Sequence, residues 1–240
     1  TITITDYYSL KGDGHTSENG TGDRAATVIL KSFNGVGVIV GDNCVLSDLQ
    51  VEGDTSNTGD GIQVLGGRSV LRNVQSNKHG GNGIRIGDDN NDSINVNLWR
   101  LDTVMSIYKT AALTLTMATS GTATLLDLRQ NGGDGLRIKN AIDSKFYGAV
   151  AQNNTGNGVK LEADARSHNF YGLYTEANTA SELTIDANAN QNLFIGNRFG
   201  TVSAGWVNNG TANLVLQHDI GNIPNAYAID NALAIKDYTS

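Results

Sequence analysis

Gly135-Leu136-Arg137-Ile138 is answered 23 residues later by Gly158-Val159-Lys160-Leu161. In both stretches a small residue leads and two aliphatics flank one polar side chain. The same unit stands earlier at Gly37-Val38-Ile39-Val40, Gly61-Ile62-Gln63-Val64, Gly83-Ile84-Arg85-Ile86 and Ala112-Leu113-Thr114-Leu115. It continues at Glu182-Leu183-Thr184-Ile185, and a further copy begins at Gly205. Successive starts lie 24, 22, 29, 23, 23, 24 and 23 residues apart. The long step contains Asp88-Asp89-Asn90-Asn91-Asp92, which reads as a loop insertion.

A second unit follows each first one. Its leading apolar residues are Leu46, Leu71, Leu98, Leu125, Phe146, Phe170, Phe194 and Val215. Two residues further on stand Asp48, Asn73, Arg100, Asp127, Gly148, Gly172 and Gly196. Gly, Asn and Asp tolerate left-handed backbone angles, so this column reads as a tight bend. Arg100 breaks the pattern. Strand, bend, strand and loop, repeated every two dozen residues, describe one coil of a parallel β-helix. Each coil buries its inward residues against the coils above and below. Stacked helices are excluded because the apolar residues alternate with period 2 rather than 3.6. A leucine-rich repeat would need an L-x-x-L-x-L run with a fixed Asn, which is missing. The fold class is therefore all-β: a single-stranded right-handed parallel β-helix of about eight or more coils. Right-handed winding is the rule for parallel crossovers. The helix is assigned to residues 1–221, with 222–240 as a C-terminal extension.

Composition supports this reading. The 240 residues include 29 Gly, 28 Asn and a single Pro. That density of poor helix formers argues against a helical bundle. One cysteine, Cys44, excludes a disulfide scaffold. No apolar run is long enough for a membrane-spanning helix, so no membrane insertion is expected. The net charge of −7 argues against general nucleic-acid binding. The chain opens inside the alternating run Thr1-Ile2-Thr3-Ile4-Thr5 without an initiator Met or signal peptide, and reads as a piece of a longer protein.

Metal motifs fail on inspection. Gly80-Gly81-Asn82-Gly83 and Gly132-Gly133-Asp134-Gly135 start like a calcium-binding nonapeptide repeat. The ligand Asp is replaced by Arg85 and Arg137, so that metal ladder is excluded. The acidic run from Asp88 to Asp92 lacks the spacing and Gly of an EF-hand loop. No cofactor and no metal are expected.

Leu10-Lys11-Gly12-Asp13-Gly14, followed by Thr27-Val28-Ile29-Leu30, resembles the opening coils of pectate-lyase-like right-handed β-helices. Asn169-Phe170-Tyr171-Gly172-Leu173-Tyr174-Thr175-Glu176-Ala177-Asn178 resembles late coils of bacteriophage tail spikes and tail fibres. The resemblance implies a homotrimeric rod on the virion tail, outside the cell. Such a rod recognises, and often depolymerises, a bacterial surface polysaccharide, either capsule or lipopolysaccharide O-antigen. No shared catalytic motif accompanies it, so no active residue carries over.

Candidate chemistry comes from the outward columns. The first reads Ile39, Gln63, Arg85, Thr114, Arg137, Lys160 and Thr184; the next reads Leu65, Gly87, Thr116, Lys139, Glu162 and Asp186. Arg85, Arg137, Lys139 and Lys160 are candidates to hold an anionic sugar, since a guanidinium fork suits a carboxylate. The bland alternative is a solvated β face. Glu162 and Asp186, in neighbouring coils of one column, are the first candidate catalytic pair, because paired carboxylates are what a glycosidase requires. The bland alternative pairs Lys139 with Glu162 and leaves Asp186 to solvent. Asp102 and Asp127 are the second choice. On that reading Arg100 faces Asp127 and Asp102 faces Arg129, as reciprocal cross-coil ion pairs. Trp99, Tyr147 and Tyr171, with Tyr174 nearby, read as one aromatic column able to stack sugars or meet another subunit, with packing inside a wide coil as a third option for Trp99. A secreted polysaccharide lyase or epimerase, and a non-catalytic shaft or adhesin, are the competing functions.

Overall fold

The computed structural model describes residues 1–14, 27–88, 91, 94–107, 110–200, 206–217 and 228–229. Among them there is no helix. The chain winds as a right-handed parallel β-solenoid with about seven complete turns, slightly fewer than the repeat count suggested. The first sheet has nine parallel strands. They are Ile2–Ile4, Val38–Val40, Ile62–Val64, Ile84–Ile86, Leu113–Thr116, Leu136–Lys139, Asn157–Leu161, Ser181–Ile185 and Trp206–Asn208. Their register matches the repeated unit residue for residue: Gln63 lies beside Arg85, then Thr114, Arg137, Lys160 and Thr184. The opening run of the chain supplies the first rung, with Ile2 to Ile4 beside Val38 to Val40. Gly205 and residues 89, 90 and 92 of the polar insertion lie outside the described residues.

The second sheet is bent. Its long strands are Val45–Glu52, Val70–Asn77, Arg100–Ile107 and Thr122–Arg129. Later coils divide the same path into Lys145–Tyr147 with Val150–Gln152, and Asn169–Tyr171 with Tyr174–Glu176, before Leu193–Phe199 and Leu214–Gln217. Ser9–Lys11 and Val28–Leu30 pair with the two halves of Val45–Glu52, as the opening-coil resemblance implied. Of the C-terminal extension only Ala228–Ile229 is described; it pairs antiparallel with Leu214–Val215.

The bend column holds in five coils and is corrected in two. Asp48, Asn73, Gly148, Gly172 and Gly196 all have φ between 52° and 66°. In the two coils between them the left-handed residues are Thr103 (φ 54°) and Leu125 (φ 52°), not Arg100 and Asp127. The core column shifts accordingly. It runs Leu46, Leu71, Leu101, Ala123, Phe146, Phe170, Phe194 and Val215. Leu98 and Leu125 stand outside it, 54% and 62% exposed. Leucine spacing alone points to Leu98 and Leu125 because both coils place a second apolar residue, Leu101 or Ala123, a few positions away.

Like stacks on like inside. Phe146 and Phe170 lie parallel with centroids 4.5 Å apart, and Phe170 and Phe194 at 4.4 Å. Each buried aromatic side chain contributes roughly 2–3 kcal/mol. Trp99 is buried and does not share the outward column with Tyr147 and Tyr171. Its ring reaches to 6.3 Å from Phe146, across the coil that carries Gly121 and Ala123. A Cβ on Gly121 would fall within the indole, so glycine there makes room for the tryptophan. The indole thus fills the volume that two small residues leave.

Buried asparagines satisfy the turns. Asn131 donates both its backbone N–H and its Nδ2 to Asn154 Oδ1; Asn154 does the same to Asn178. The ladder ends on the buried carboxylate of Glu182, which accepts from Asn178. A second ladder runs from His168 to Asn192 to Asn213. Each rung fills an acceptor or donor that would otherwise be stranded away from water.

Candidate functional site

The outer face of the first sheet brings Arg137, Lys160 and Glu162 together. Glu162 accepts from Arg137 Nη2 at 2.8 Å and from Lys160 Nζ at 2.9 Å. The expected Lys139–Glu162 pair is therefore replaced by two others: a diagonal one from Arg137 on the neighbouring coil, and one from Lys160 two residues back on the same coil. Burial alone would raise the Glu162 carboxyl, but the hydrogen bonds and charges of Arg137 and Lys160 outweigh it and hold the group below its ordinary value. Lys160 is pushed up, first by its hydrogen bond to Glu162, with Asp186 and Asp134 adding negative charge nearby. At neutral pH this is a doubly held carboxylate under two cations. It can stabilise positive charge or accept a proton; it is a poor proton donor.

Exposure orders the charges. Arg137 and Lys160 side chains are 40% and 28% exposed, against 14% for Glu162. Earlier on the same face, Arg85 forms an ion pair with Asp60, its Nε 2.7 Å from Oδ2 and its Nη2 donating to Oδ1 at 3.4 Å, with side chains 19% and 5% exposed. The carboxylates lie beneath and the cationic heads face outward. The cations therefore form no naked basic patch, because each rests on a carboxylate. Gln63, Thr114 and Thr116 in these columns are buried.

Asp60, Asn82, Asp134 and Asn157 escaped sequence reasoning. Asp60 Oδ1 accepts both the backbone N–H and the Nδ2 of Asn82, at 2.7 and 2.9 Å. Asp134 Oδ1 takes the same two bonds from Asn157, at 2.7 and 2.8 Å. The available signal was the Asp-Gly or Asn-Gly pair that opens four of the repeated units.

The second-choice carboxylates stay apart. Asp102 lies beside Thr124, and Asp127 lies between Met105 and Val150. Neither reciprocal cross-coil pair forms. Instead Arg100 approaches Asp102 at 3.7 Å, and Arg129 pairs with Asp127, each within one strand. The bend lies three residues later in one coil and two earlier in the next, so the two coils are offset by five residues from the expected register.

Tyr147 and Tyr171 do stack outside, with centroids 5.1 Å apart and planes 9° from parallel. Tyr174 lies beyond the Gly172 bend on the other limb. Its hydroxyl donates to Glu176 Oε2 at 2.5 Å, which raises the phenol, and Gln152 Nε2 donates to the same oxygen at 3.0 Å. Arg198 lies 5.3 Å from the Tyr174 ring centre. Gln152, Glu176 and Arg198 are further residues that the sequence did not single out. Among the described residues, no three His, Cys, Asp or Glu side chains converge as a metal site would require.

No family model and no curated protein matches the chain at the sequence level. Solved structures share the architecture. The A-module of mannuronan C-5 epimerase AlgE6 from Azotobacter vinelandii is 14% identical with a TM-score of 0.58, over 80% of this chain and 59% of its own. The enzymatically active domain of tailspike protein 2 from bacteriophage CBA120 is 13% identical with a TM-score of 0.55, over 82% and 39%. Tailspike protein gp49 of Acinetobacter baumannii bacteriophage Fri1, a capsular polysaccharide depolymerase, is 12% identical with a TM-score of 0.55, over 90% and 49%. The chain thus spans less than two thirds of each of these proteins. At such identities the likeness is one of fold.

Proposed function

We propose that this chain is the glycan-binding β-helix of a bacteriophage tail spike, which grips capsule or O-antigen on the host surface. It sits in the virion tail as a homotrimer. The observation that carries the reading is the cluster of Arg137 and Lys160 over Glu162, half-exposed on a continuous strand face. Outward cationic heads recognise carboxylates on a sugar, and the acidic support beneath fixes their geometry. Arg85 and Lys139 extend the same face, and Tyr147, Tyr171 and Tyr174 offer aromatic contacts on the second sheet.

In hydrolysis Glu162 takes the part of the ionised carboxylate. Asp186, one coil further along the same column, is the second carboxylate of the candidate pair. The epimerase or lyase reading ranks second, although an epimerase shares the fold. Such chemistry requires a base, and Lys160 is held protonated by Glu162.

Incubation with purified capsule from a susceptible host tests the assignment. Wild type should release reducing ends without ultraviolet-absorbing unsaturated ends, and Glu162→Gln, whose amide oxygen still accepts from Arg137 or Lys160, should bind capsule more weakly but measurably while losing release. Cleavage at the wild-type rate by Glu162→Gln would overturn the role of Glu162, and unsaturated ends would favour the lyase.

A further inference from the structure

The first sheet contains the same polar unit twice. Asp60-Gly61-Ile62-Gln63-Val64 is matched by Asp134-Gly135-Leu136-Arg137-Ile138. One coil on, Asn82-Gly83-Ile84-Arg85-Ile86 is matched by Asn157-Gly158-Val159-Lys160-Leu161. One coil further, Ala111-Ala112-Leu113-Thr114-Leu115 is matched by Ser181-Glu182-Leu183-Thr184-Ile185.

The hydrogen bonds repeat with the sequence. Asn82 donates twice to Asp60 and its Oδ1 accepts from Thr114 Oγ1 at 2.9 Å. Asn157 donates twice to Asp134 and its Oδ1 accepts from Thr184 Oγ1 at 2.8 Å. Each relay spans three consecutive coils, and each places a cation, Arg85 or Lys160, on its middle coil. In each unit the cation rests on a more buried carboxylate, Asp60 or Glu162.

We infer that these are two related subsites for one polysaccharide strand lying along the solenoid axis, a reading that rests on the glycan-binding function proposed above. Coils rise by the spacing of neighbouring strands, so Arg85 and Lys160 are separated by three rises, about 14 Å. A single sugar cannot meet both. A carboxylated chain several residues long can, and its second contact is then intramolecular, which raises affinity without any new chemistry. The units differ in their charged groups: the buried Gln63 stands where the second unit has Arg137, and Arg85 rests on the relay's Asp60 whereas Lys160 rests on Glu162 of its own coil. Gly87 stands where the second unit has Glu162, so only the second unit places a carboxylate in that outward column. On this account the first unit holds the strand, and any bond breaking occurs at the second.

The test is a length series of mannuronate oligosaccharides, trimer to octamer, titrated calorimetrically at low salt. Wild type should show a step of about tenfold or more in affinity once the chain spans both units. Arg85→Gln should abolish the step and leave the trimer affinity within about twofold. The wild-type series alone reads the step, so a folding defect in the variant does not decide the result. Affinity rising smoothly with length, or a step that survives Arg85→Gln, would overturn the two-subsite inference while leaving glycan binding in place. Failure of every oligomer to bind would count against recognition of carboxylated glycan itself.

Discussion

Two corner residues carry backbone strain that glycine would relieve. Seven coils turn at one left-handed residue, and five use Gly, Asn or Asp. Thr103 and Leu125 are the exceptions, at φ 54° and 52°. An L-residue with an ordinary side chain pays roughly 1–2 kcal/mol in that basin. Glycine removes this cost but adds roughly 0.5–1 kcal/mol of unfolded-state entropy. Leu125 is 62% exposed, so little apolar burial is lost with its side chain, whose Cδ2 only brushes the space over Gly148. Leu125→Gly and Thr103→Gly should therefore each stabilise by about 0.5–1 kcal/mol, a rise in Tm of about 2–3 °C for a chain of this size. Asp127→Gly is the control. Asp127 is extended and pairs with Arg129, so glycine there should cost about 1 kcal/mol. Thermal unfolding followed by circular dichroism reads all three. Stabilisation by Asp127→Gly with destabilisation by Leu125→Gly would place the bend where the leucine spacing alone puts it, and would refute the register.

Gly121→Ala should destabilise by about 3 kcal/mol or more, because the new methyl enters the Trp99 ring; the double variant with Trp99→Leu should recover much of that loss in urea unfolding. His168 supplies a pH dependence. Burial, opposed by the hydrogen bond to the Ala141 carbonyl and the charge of Asp143, lowers its imidazole from 6.5 to about 4. Between those values the unfolded chain binds a proton that the folded chain refuses, so stability present above pH 6.5 is lost as pH falls toward 4, by about 3 kcal/mol in all. Urea midpoints against pH should flatten in His168→Asn, which imitates the next rungs of that ladder. Asn154→Ala should cost about 3 kcal/mol or more, since it strands the donors of Asn131 and the Leu128 carbonyl; equilibrium unfolding measures it, and a loss below about 1 kcal/mol would show the ladder to be incidental.

The first sheet was legible because each strand is announced by a small residue and then alternates. Nothing else in the sequence competes with Gly83-Ile84-Arg85-Ile86 or Gly135-Leu136-Arg137-Ile138 for the same place. The second sheet was legible only where the bend residue is chemically distinctive. At Leu98-Trp99-Arg100-Leu101 two leucines offer rival registers, and Thr103 gives no left-handed signal. Of the candidate site, the columns were readable, because register fixes which residues neighbour one another. The partners were not. Arg137 reaches diagonally across coils and Lys160 along its own coil to Glu162, a choice set by side-chain length and burial rather than by backbone position. For Trp99 the sequence leaves an outward and an inward place open, and the space over Gly121 decides for the inward one.

The most direct measurement is a crystal structure of the chain soaked with fragments of a capsular polysaccharide. The account predicts sugar density along the outer face of the first sheet, with a glycan carboxylate against Arg137 and Lys160 beside Glu162. Density confined to the Tyr147–Tyr171 stack, or to a cleft between copies with that face bare, would contradict it.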